Sequence, residues 1–101
     1  MNNKSKVRVV AKVLALSDKI EELKTLLIEL LEPTRKETGC IFYDLMQNQT
    51  NPTEFVFVEE WESEADLQAH LASAHIQKAL AKCENLVEMP PDIRRYQLID
   101  I

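Results

Sequence analysis

The clearest strand segments in this chain are apolar on both faces, and this narrows the possible folds more than any other feature. From Val7 to Ala15, VRVVAKVLA places Val7, Val9, Ala11, Val13 and Ala15 on one side and Arg8, Val10, Lys12 and Leu14 on the other. In Cys40–Asn48, Ile41, Tyr43 and Leu45 alternate with Cys40, Phe42 and Met46. In Glu54–Trp61, Phe55, Phe57 and Trp61 alternate with Val56 and Val58. An antiparallel sheet with one face in water keeps that face polar. These segments do not, so both faces need cover.

Helical patterns separate the strands. Asp18 offers an N-cap with Glu21 three residues on, and Ile20, Leu23, Leu27, Leu30 and Leu31 then recur at helical spacing. Pro33 is expected to end or kink that helix, with Thr34–Thr38 adding a turn. Gly39, the single glycine, stands where a helix needs a left-handed terminating residue. Gln49–Thr53 reads as a hairpin turn. Ser63 caps a second helical region through Leu67, Leu71, Ile76 and Leu80, with a break near Ser73. Met89–Pro91 stops it, and Ile93–Ile101 reads as a last strand. The order β-α-β-β-α-β specifies an α+β, ferredoxin-like fold with an antiparallel sheet. Two helices cover one sheet face, and a second copy of the chain is the simplest cover for the other.

The chain's 101 residues form a single domain, with a core spanning about 7–100. A domain of this size buries only about 60–70% of its unfolded surface, and a ligand cavity reduces that further, which again argues for a pair of chains. The net charge of −5, without a basic stripe, speaks against nucleic acid. No apolar run approaches the roughly 20 residues of a membrane span, and the polar Met1–Lys6 start does not resemble a secretory signal. The expectation is a cytoplasmic protein in which Cys40 and Cys83 are free, small buried thiols; neither lies in a CxxC spacing.

Two stretches carry a family likeness. Glu32–Asp44, EPTRKETGCIFYD, contains a GC-x-x-Y segment, and Phe55–Ile76, FVFVEEWESEADLQAHLASAHI, contains E-x-W followed by H-x-x-S-x-H. Over about Val7–Leu98 the chain resembles the antibiotic biosynthesis monooxygenase domains. The resemblance implies a dimeric α+β barrel whose subunits each keep a pocket between sheet and helices. It also implies chemistry without metal or flavin on a quinol- or phenol-like molecule and O2. Haem-degrading relatives carry a tryptophan at the place of His70 and a ligand histidine where Leu80 stands here, so haem breakdown is disfavoured.

Such chemistry needs a base near neutral pKa and a water-poor pocket. His70 and His75 are the available histidines, and both are candidate catalytic residues. His75 matches the second histidine of the motif, and a solvent-facing helix position would explain His70 equally well. On one regular helix the two would stand about 140° apart and could not chelate a single metal. The resemblance accordingly implies no metal and no cofactor. Trp61 and Tyr43 are candidate substrate-binding residues, as a stacking wall and a hydrogen-bond donor. One of Glu59 and Glu60 must point inward or toward an interface, where Arg8, Lys12 or Arg95 would pair with it as a salt bridge. Two other functions fit the same residues: a cofactor-free isomerase of a carbonyl compound, and a non-catalytic dimeric binding or stress module.

Overall fold

The computed structural model describes residues 6–99. The elements in chain order are β1 (Val7–Leu14), α1 (Ile20–Ile28), α2 (Leu31–Arg35), β2 (Cys40–Gln47), β3 (Glu54–Trp61), α3 (Glu64–Leu71), α4 (Ala74–Cys83) and β4 (Asp92–Tyr96). The strands form one antiparallel sheet in the order β2-β3-β1-β4, as expected for the ferredoxin-like fold. The helices lie on one face. There Val9, Ala11 and Val13 of β1 and Phe55, Phe57 and Trp61 of β3 pack with Leu23, Leu27, Leu67 and Ile76. Each large side chain buried in this way contributes about 1.5–3 kcal/mol. Among the described residues, no helix is long and apolar enough to cross a membrane.

Several local expectations are corrected. Asp18 does not cap α1; Leu16–Lys19 closes as a turn, and Lys19 precedes the helix without a side-chain cap. Pro33 ends nothing. It occupies the first turn of α2, where a missing N–H costs little. In β2 a bulge between Cys40 and Phe42 interrupts the alternation: Cys40 pairs with Trp61 while Phe42 pairs with Glu60, and Ile41 is the extra residue. Cys40 is consequently only half-buried, whereas Cys83 is buried as expected, and both thiols are free. β4 is shorter than Ile93–Ile101; it stops at Tyr96, Leu98 and Ile99 are exposed, and the last two residues, like Met1–Ser5, lie outside the described range.

Other expectations hold. Gly39 adopts φ +83°, as a helix-terminating glycine does. A Cβ there would come within 2.2 Å of the Asp66 carboxylate, so the α2–β2 turn can lie against the first turn of α3 only because this residue has no side chain. Ser73 separates the last two helices. Its hydroxyl donates to the His70 carbonyl (2.7 Å), and the same oxygen accepts from the Ile76 N–H and so caps α4.

The sheet face opposite the helices carries Val10, Leu14, Phe42, Met46, Val56 and Val58, ringed by the ion pairs Arg8–Glu60 (3.2 Å) and Lys12–Glu54 (3.4 Å). Its centre is apolar and its margin is charged.

Candidate functional site

Tyr43, Phe57, Glu59 and Trp61 project from neighbouring strands toward the helices. Above them the helix break brings His70, from the last turn of α3, next to His75, from the first turn of α4. The two rings lie 6.3 Å apart, centroid to centroid, and both meet one carboxylate oxygen. Glu37 Oε2 is 3.0 Å from His70 Nδ1 and 2.5 Å from His75 Nε2. The expectation that these histidines could not share a ligand is overturned, because Ser73 resets the helix phase between them. His70 is also not solvent-facing: it is 3% exposed, and its ring packs on Trp61 at 4.5 Å and edge-on to Tyr43 at 5.5 Å.

A carboxylate only accepts hydrogen bonds, so both imidazoles donate to Glu37. This assigns the His70 proton to Nδ1 and leaves the lone pair on Nε2, which has no partner among the described residues. Burial holds the His70 ring below the ordinary imidazole pKa, against the upward pull of Glu37, so the ring is neutral at pH 7. The arrangement is a buried, oriented base backed by a carboxylate.

His70 lines an apolar cavity of about 60 Å³ between sheet and helices, together with Tyr43, Phe57, Glu59, Leu67 and Cys83. Burial, aided by the nearby Glu59 charge, pushes the Tyr43 hydroxyl well above its usual pKa, so it remains a hydrogen-bond donor. Glu59 is 4% exposed and accepts from the Trp61 indole N–H at 2.9 Å. Desolvation raises its pKa to about 7 despite that bond. A wider groove of about 410 Å³ shares Leu80, Cys83 and Pro91 with the cavity.

The four candidate residues thus occupy different positions. Tyr43 and His70 line the cavity. Trp61 is fully buried beneath His70 and is not a cavity wall, because the imidazole lies over its ring. His75, at 29% side-chain exposure, lines a separate surface groove and reaches the site only through Glu37. Glu60 forms an ion pair with Arg8 on the sheet face away from the helices, while Arg95 pairs with Glu64 on α3. Glu59 turns inward instead, onto the face shared with Tyr43 and Trp61. Glu37 was missed altogether, and nothing in local spacing marks a residue in a polar turn as the partner of histidines 33 and 38 positions away.

Glu59 sets a measurable pH dependence. Its folded pKa of about 7 lies above its ordinary 4.5, so between those values the folded state binds more protons than the unfolded one. The resulting stabilisation is full below pH 4.5 and is lost as pH rises through 7, by about 3 kcal/mol at most. Glu59→Gln keeps the acceptor for Trp61 and removes the charge. Urea midpoints are expected to favour the variant over wild type at pH 8 and not at pH 4.5. An equal difference at both values would contradict a buried, titrating carboxyl.

A ferredoxin-like domain with an acid/base-lined apolar cavity beneath its helices defines the class of protein. Within that class the chain belongs to the antibiotic biosynthesis monooxygenase family, whose sequence profile matches residues 6–82. The chain is similar to YcnE of Bacillus subtilis, whose name assigns it provisionally to the monooxygenases. The two are 33% identical over 81 residues, covering 80% of this chain and 85% of that one. Rv0793 of Mycobacterium tuberculosis is 33% identical over 86 residues, 85% of this chain and 84% of its own. Its solved structure superposes with a TM-score of 0.90 at 30% identity, covering 96% and 98% of the two chains. A conserved Methanosarcina mazei protein superposes at 0.87 with 32% identity and 94% coverage of each chain. The chain spans just over half (56%) of the uncharacterised Synechocystis protein sll1783, to which it is 31% identical over 83 residues, 82% of this chain.

Proposed function

We propose that this protein is a cofactor-independent monooxygenase of a small quinol or phenol, with His70 as the base. The observation that supports this reading is a neutral histidine lining an apolar cavity, with one nitrogen held by Glu37 and the other without a protein partner. His70 Nε2 accepts the phenolic proton, and Tyr43 donates to the substrate's second oxygen. The anion passes an electron to O2, and the apolar walls keep water from the radical pair. For a quinol the balance is one oxygen atom entering the ring and the other leaving as water, which gives a hydroxyquinone.

The cavity, at about 60 Å³, is smaller than the roughly 150 Å³ in which benzene binds a protein interior. A ring therefore enters by displacing the Leu80–Pro91 boundary toward the groove. No lysine or arginine lines the cavity among the described residues, which counts against a phosphorylated isomerase substrate. The buried base likewise counts against a purely non-catalytic binder.

Metal-stripped protein supplied with a menadiol-type quinol should consume oxygen faster than buffer and form the hydroxylated quinone. Uptake no faster than buffer across a panel of such quinols would reject the reading.

The working unit in this proposal is a homodimer that buries the Phe42, Met46, Val56 and Val58 face. At micromolar concentration the measured mass should be twice 11.7 kDa, and a stable monomer would exclude the pairing.

A further inference from the structure

The Glu37, His70 and His75 donor atoms form a cluster tighter than a proton relay needs: all three lie within 4.8 Å of one another. Two imidazole nitrogens and a carboxylate oxygen, from three separate chain segments, match the three-ligand sets that hold zinc with one position open. Tetrahedral bonds of about 2.0–2.1 Å place such donors roughly 3.3 Å apart. His70 Nδ1 and Glu37 Oε2 already stand at 3.0 Å; seating an ion requires the part-exposed His75 ring to swing toward His70, because the donor set spans up to 4.8 Å. His70 is locked by Trp61 and Tyr43, so one ligand is preorganised. His75 and Glu37 are partly exposed and give an ion a way in.

We infer that Glu37, His70 and His75 bind one divalent ion of the zinc class, and that the ion acts as an off-switch for the site. Binding moves the proton on His70 Nδ1, and that on His75 Nε2, to the other nitrogen of the same ring. A neutral imidazole with a metal on Nδ1 carries its proton on Nε2. The lone pair that accepts the substrate proton becomes an N–H, and the base is lost. Ion binding itself does not depend on the proposed reaction; only the inhibition rests on that reading.

The test titrates Zn2+ calorimetrically, and Co2+ by its visible absorption, into metal-free wild-type protein, Glu37→Gln and His75→Ala. One ion per chain is expected, with a tetrahedral-type Co2+ spectrum. Each variant should lose at least about tenfold in affinity. His75→Ala alters a part-exposed side chain, and its melting curve shows whether it folds. Binding of the same strength in both folded variants, or fewer than one ion per wild-type chain, would overturn the site. In the oxygen assay, stoichiometric Zn2+ should abolish quinol turnover in the wild type. Protein that binds the ion yet never consumes oxygen keeps the ion site and rejects the monooxygenase reading. Protein that turns over but binds no ion does the reverse.

Discussion

His70→Ala is expected to lower quinol-dependent oxygen uptake by about 10²–10⁴-fold, the usual contribution of a positioned general base. The loss should fall on kcat, because the side chain acts on a proton in flight and adds little to substrate binding. Wild-type activity should decline as pH falls through a value below 6.5, since burial keeps the ring deprotonated further into acid than an exposed histidine. The residual activity of the variant should lack that step. His70 is buried, so alanine also leaves a void; His70→Asn fills more of it, retains a donor toward Glu37 and has no titrating nitrogen. A comparable activity loss in a folded His70→Asn protein would separate chemistry from stability. Retention of half or more of the wild-type rate in either variant would remove His70 from the mechanism. His75→Ala should cost less, because His75 reaches the cavity only through Glu37.

Trp61→Ala should be the most destabilising of the substitutions considered, at about 3–5 kcal/mol in urea denaturation. Domains of this kind have about 5–15 kcal/mol in all, so the variant should be partly unfolded near physiological temperature. Two effects combine. The fully buried indole is the floor on which His70 rests, and its N–H is the hydrogen bond given to the Glu59 carboxyl. Trp61→Phe separates them: it keeps an aromatic floor and removes the donor. Its cost should be smaller at pH 5, where Glu59 is protonated, and larger at pH 8, where the carboxylate has lost its partner. A cost below 1 kcal/mol for Trp61→Ala would show that the indole does not carry the packing beneath His70.

The order of elements, the Ser63 cap, the break near Ser73 and the left-handed Gly39 were legible in the sequence because each rests on local physics. Strand alternation, a hydroxyl within reach of a helix N–H and a missing Cβ all act within a few residues. The start of α1 and the bulge at Cys40 were not legible. Helix starts shift where turn hydrogen bonds compete with a cap, and a bulge reverses alternation without a composition signal.

The candidate site divides along the same line. Its residue types were visible in the H-x-x-S-x-H spacing and the strand aromatics, and the helix break near Ser73 was expected. What the break does to the geometry was not. On an unbroken helix His70 and His75 diverge; with the helix interrupted they converge on Glu37, one ring under the helices and the other near the surface. Which of Glu59 and Glu60 faces inward was equally open, because alternation distinguishes the two faces of a strand without saying which one the helices cover. The sequence by itself determined the fold, the apolar character of both sheet faces and the set of chemically capable side chains. Only the tertiary structure decided which histidine lines the cavity, which glutamate is buried there and which distant carboxylate joins them. Those choices depend on the angle at which helices cross a twisted sheet, and residues more than 30 positions apart acquire a distance only when that packing is complete.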